Sequence, residues 1–169
     1  MSLSMFQASV PVYIQHLTGL SGVLQKAADF AAAKKIDPAV LLGSRIYPDM
    51  FPLSRQVRES INHSANACAR IIGGDLPKLP DGEASFDELQ TRISAALVYL
   101  KSLKPEQIDG SEDKTVVMQF SPTASREFKG QAFLTGFALP NFFFHTTTAY
   151  AILRQYGVEI GKRDFMGPR

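Results

Sequence analysis

The chain carries three histidines, His16, His63 and His145, and one of them stands in a spacing that suits chemistry. In Asn141-Phe142-Phe143-Phe144-His145 an amide and an imidazole lie four residues apart. On a helix that spacing puts both on one face. At about 100° per residue, Thr148 and Ile152 fall on a similar face, and Ile152 marks it as inward. Two donors one turn apart are how a helix presents two ligands to one divalent ion. Asparagine suits zinc or nickel less well than imidazole or thiolate. The residues therefore leave two readings of His145 open. It is a metal ligand, or it is a core histidine bonded to Asn141 or to a backbone carbonyl.

The other candidates are weaker. His63 lies about 140° from the mean direction of the stripe Leu53–Val57–Ile61–Ala65 at helical pitch. With Glu59, Asn66 and Arg70 around it, it reads as part of a solvated face. His16 flanks an apolar stripe beside Leu17, lining a cavity or lying exposed. Cys68 is the single cysteine, so no intrachain disulfide forms. It sits in an apolar-periodic stretch with no base nearby, which describes a buried thiol rather than a nucleophile. The loop Tyr47-Pro48-Asp49-Met50-Phe51-Pro52 either rims a pocket or covers one end of the core. No CxxC, HExxH, GxSxG, GxxxxGK or GxGxxG motif occurs.

The elements that must position these groups follow from periodicity. Phe6, Val10, Tyr13, Leu17, Leu20, Leu24, Ala27 and Ala31 recur every three or four residues and predict a helix from about Met5 to Ala33. Asp37-Pro38 opens a loop or one short turn through Leu42. A second helix begins near Pro52, a residue suited to the first helical position, and Gly73-Gly74 ends it. Ser85 and Glu88 form an S-x-x-E capping box for a third helix that Pro105 stops. Val116, Met118 and Phe120 alternate with Val117, Gln119 and Ser121. They predict a short hairpin or two extended arms, the second over Arg126 to Phe133. A fourth helix covers roughly Leu134 to Tyr156, with Pro140 kinking it or starting its main part. The tail from Val158 onward shows no periodicity. The expected fold is all-α, a single four-helix bundle domain over residues 1–169, with an extended segment between helices three and four.

Composition agrees. At 169 residues, 45% apolar and 20% charged, the chain suits one globular domain. Its net charge of +2 gives no reason to expect nucleic acid or an anionic membrane as partner. The N-terminus lacks the basic and apolar regions of a signal peptide, and no apolar run is long enough to span a bilayer. A cytoplasmic location is the expectation.

The segments Met50-Phe51-Pro52-Leu53-Ser54-Arg55-Gln56-Val57, Ala69-Arg70-Ile71-Ile72-Gly73-Gly74, Phe86 to Ile93, Pro140 to Arg154 and Gly161-Lys162-Arg163-Asp164-Phe165 together resemble a known family. The chain is similar to the DinB-like (YfiT-like) metalloenzyme superfamily, and within it to a bacterial branch known only as a domain of unknown function. The resemblance covers nearly the whole chain. It implies a helical bundle, a dimer, and a divalent metal such as zinc or nickel held by three histidines, one from helix two and an H-x-x-x-H pair from helix four. Relatives include thiol-cofactor-dependent transferases and isomerases. Carried over residue by residue, the ligand positions are His63, Asn141 and His145, with Asn141 where the first histidine of the pair belongs. Two functions follow. One is a metal-dependent enzyme acting on a small molecule. The other is a non-catalytic ligand-binding or interaction dimer that has lost the metal set.

Overall fold

The computed structural model describes residues 3–168. Helix α1 (Met5–Lys34) starts on a full capping box, in which the Ser4 hydroxyl accepts from the Gln7 N–H and the Gln7 side chain accepts from the Ser4 N–H. Its stripe, from Val10 and Tyr13 through Leu17, Leu24 and Ala31, is buried as the spacing predicts. The short α2 (Pro38–Leu42) follows, capped by the Asp37 side chain.

Helix α3 (Leu53–Ile61) passes through a π turn (Asn62–Asn66) into α4 (Ala67–Ile72), which ends on Gly73 in the left-handed conformation. Helix α5 (Phe86–Ser102) starts on Ser85 as expected, with its hydroxyl accepting from the Glu88 N–H. The return arm differs from the expected box. The Glu88 carboxylate takes the Ala84 N–H instead. After the single turn of α6 (Pro105–Ile108), strands β1 (Thr115–Ser121) and β2 (Ala124–Lys129) pair antiparallel, from Thr115 opposite Lys129 to Ser121 opposite Ala124.

The last long segment begins earlier than its periodicity predicts. Residues 130–133, expected as the end of an extended arm, form α7 (Gly130–Phe133). A second π turn (Leu134–Ala138) joins it to α8 (Leu139–Gln155). Pro140 therefore falls in the first turn of α8, where its missing N–H costs little. The tail, in which no regular element was expected, forms α9 (Lys162–Met166).

Helix α3 packs on α8 and α5, while α1 packs on α5, α8 and α9. One continuous core fills the space between them and includes Tyr13, Leu53, Ile61, Leu89, Ile93, Phe142 and Leu153. Cys68 lies in that core, and burial pushes its thiol up to about 12. The fold is mostly helical with one two-stranded sheet. Helix α9 docks at a glycine: a Cβ on Gly19 would sit 2.8 Å from the Phe165 carbonyl oxygen, so a larger residue there would push α9 away. No helix among the described residues is long and apolar enough to cross a membrane.

Candidate functional site

The polar face of α3, the first π turn and α4 does not look out on bulk water. It forms one wall of a cleft of about 560 Å³ and carries Arg55, Glu59, Asn62, His63, Asn66 and Arg70. Met118, Gln119 and Phe120 of β1 line another side. Phe133, Phe137, Asn141 and His145, from α7 through α8, complete it, with Phe51 at the rim. This corrects the solvated-face reading of His63. The period of α3 alone sees a charged stripe, and only the hairpin and the second π turn reveal what stands opposite it. The π turn also places His63 within a locally wider winding than the α-helical pitch assumes.

The structure brings the three sequence-derived positions to this one cleft. His63 and His145 lie nearly parallel, 11° apart, with ring centroids 5.5 Å from each other. Phe51 lies parallel to His145 on a 6.3 Å centroid spacing, so the aromatic loop before α3 rims a pocket. Phe137 meets His63 edge-on at 5.6 Å. His145 is only 7% exposed, and His63 and Asn141 are half-buried.

The expected bond between His145 and Asn141 is not made. His145 Nδ1 lies 2.7 Å from Gln56 Oε1, and Gln56 Nε2 donates to the Phe51 carbonyl at 3.1 Å. With the amide oriented by Phe51, its oxygen can only accept, so this network assigns the proton to Nδ1 of His145. The lone pair then rests on Nε2. Asn141 Nδ2 donates to the Phe137 carbonyl at 2.8 Å, on the second π turn, and its amide oxygen takes no hydrogen bond among the described residues. Gln56 was not singled out by its sequence context. Its signal is a buried polar residue on the apolar face of α3, one residue from Val57.

Burial favours the neutral form of both imidazoles. Burial above all, then the charges of His145 and Arg70, push His63 down to about 4, against a pull upward from Glu59. Burial also lowers His145, with Glu59 pulling up and Arg55 pushing down. Burial alone would raise the Glu59 carboxyl, but hydrogen bonds from Asn62 and Arg58 hold it below its ordinary value. Its oxygens are engaged by Arg58 at 3.1 Å and Asn62 at 3.2 Å, with Arg55 at 3.7 Å. The Arg55 guanidinium also sits 3.6 Å over the Phe51 ring.

The third histidine is elsewhere. His16 is buried against Phe143 and Phe165, with centroids at 5.0 and 5.4 Å, and its Nδ1 has no partner.

The donor set can be tested against the metal that the resemblance implies. Imidazoles that share an ion at about 2.1 Å have centroids no more than about 6.5 Å apart, and the 5.5 Å spacing lies inside that limit. A neutral ring with one nitrogen tied back, as His145 is to Gln56, is the form that ligates. Among the described residues, no set of three His, Cys, Asp or Glu side chains is placed to hold an ion. The spacing of the two rings is compatible with a shared ion, while no third donor of these types stands with them among the described residues.

The mostly helical architecture is DinB-like, as its superposition on a solved relative shows. A solved structure of a DinB family member protein from Shewanella denitrificans is 34% identical and superposes with a TM-score of 0.86, covering 97% of this chain and 92% of that one. Residues 5–166 match the family described as a domain of unknown function, DUF1993, and the chain belongs to that family. No curated protein matches the chain.

Proposed function

We propose that the cleft is a small-molecule site built around an open, low-affinity divalent metal position, with His63 and His145 as its ligands and Asn141 as a weak third donor. The observation that carries this reading is the pair of imidazoles 5.5 Å apart in one cleft, the inner one hydrogen-bonded to Gln56. When bound, such an ion supplies Lewis-acid chemistry, polarising a ligand oxygen or lowering the pKa of a bound water or thiol. The protein's own part is to hold the rings neutral, fix the His145 tautomer, and flank the pair with Phe51 and Phe137. The mutual packing of α1, α3, α5 and α8 supports reading the fold as a four-helix bundle with the hairpin laid across it.

A second reading is favoured by a specific observation. Asn141 spends its NH₂ on the Phe137 carbonyl, and no three-donor set of stronger ligands is assembled among the described residues. On that reading the cleft binds a ligand without an ion, and the protein is a non-catalytic bundle.

Elemental analysis of protein purified without chelator, with melting curves before and after adding zinc or nickel, separates the two. The metal reading expects bound ion or an upward shift in melting temperature on addition. Substoichiometric zinc, nickel and iron together with an unmoved melting curve would defeat it and leave the second reading.

A further inference from the structure

The cleft holds two guanidiniums, and they are not equivalent. Arg55 is spent on the Phe51 ring and on Glu59. Arg70 lines the same cleft, is half-buried, and makes no side-chain hydrogen bond or ion pair among the described residues. It lies close enough to His63 to depress that imidazole's protonation, and burial weakens its own hold on its proton. Nearby, the Asn66 side-chain oxygen is buried and without a partner. A half-buried guanidinium left unpaired beside neutral rings is an unmet demand for an anion. Its planar fork matches a carboxylate or phosphate bidentately. Across the cleft stand Met118, Phe120 and Phe137, an apolar wall with no charge.

We infer that Arg70 is the recognition residue of this cleft, and that its ligand is a small organic anion with an apolar body. The anionic head pairs with Arg70, and the body lies against Phe120 and Phe137. The one carboxylate within the cleft, Glu59, is neutralised by Arg58 and Arg55, so it does not cancel the attraction. The inference deepens the small-molecule reading of the cleft but needs no ion.

Chelator-treated, dialysed full-length protein tests it, with benzoate and benzyl alcohol as probes of equal body and different charge, followed by amide chemical shifts in NMR titrations. Benzoate is expected to bind saturably, with shifts clustered around His63, Phe120 and Phe137. Benzyl alcohol should bind roughly tenfold more weakly. Arg70→Gln should abolish the difference while leaving the melting curve in place, and Arg55→Gln should not. Equal affinity for the two probes, no saturable benzoate binding, or an unchanged preference in Arg70→Gln would each overturn the assignment. The probe comparison on the natural protein needs no variant to fold. Benzoate binding that appears only after zinc is added would overturn Arg70 as the recognition residue and support the metal reading instead.

Discussion

His16 and the pair His63–His145 are all depressed by burial, yet their surroundings have opposite consequences. His16 is closed over. Phe142 and Phe143 flank it, Phe165 of α9 covers it, and hydrogen bonding to the Phe165 backbone only partly offsets the burial. Helix α9 is clasped there by Gln15 donating to the Met166 carbonyl and by Lys26 paired with Asp164. His63 and His145 sit instead on the wall of a cleft, where partial burial keeps them neutral without sealing them. Desolvation alone does not make a site. The same shift is structural under a clasp and available for chemistry at a cleft, and access decides which.

The largest effect that tests this contrast is on packing. Phe142 is fully buried on the closed side, and Phe142→Ala should cost about 3–5 kcal/mol in denaturant unfolding. Phe120, 55% exposed at the cleft, should cost about 1 kcal/mol or less as Phe120→Ala. Similar losses at the two positions would mean that the cleft is not open.

The next effect is with pH. His63 falls from an ordinary value of 6.5 to about 4 on folding, so between those values the unfolded chain binds more protons than the folded one. Stability therefore rises with pH across this window and is lost as pH falls from about 6.5 toward 4, levelling off below. At about 1.4 kcal/mol per unit, discounted for partial exposure, the His63 share is about 2 kcal/mol. Unfolding of the natural protein and of His63→Asn at pH 7 and pH 4.5 should show a smaller acid loss in the variant. Equal losses would remove His63 from the account.

Gln56 sharpens the comparison further, since the closed side has no counterpart to it. Gln56→Leu leaves the His145 N–H and the Phe51 carbonyl unpaired and should destabilise by about 1–3 kcal/mol. In NMR it should also shift the His145 ring nitrogens away from a single tautomer, which a merely structural residue would not do. The smallest effect is expected at Tyr13, whose buried hydroxyl has no partner. Tyr13→Phe should change stability by about 1 kcal/mol or less in either direction. A loss well beyond that would reveal a hydrogen bond that the closed side hides.

Much of this molecule is legible in its sequence, for physical reasons. The stripes of α1 and α3, the Ser85 cap and the Gly73 stop are local signals, and each holds. His145 was legible as inward because Ile152 shares its face. The rest was hidden where local winding departs from the α-helix. Both π turns lie at the cleft, one carrying His63 and the other preceding Asn141, and a fixed pitch misplaces what they carry. Gln56 and Arg70 were illegible for another reason. A polar residue on an inward face, or on a face called solvated, acquires its meaning only from the partner opposite, and that partner comes from β1 or α8.

On the reading proposed above, His63 and His145 together hold one divalent ion weakly. Calorimetric titration of zinc into the natural protein, His145→Ala and Asn141→His tests it most directly. The claim predicts one weak site in the natural protein, its loss in His145→Ala, and roughly 100-fold tighter binding in Asn141→His, where a third imidazole joins the set. No binding in the natural protein and no gain in a folded Asn141→His would contradict it.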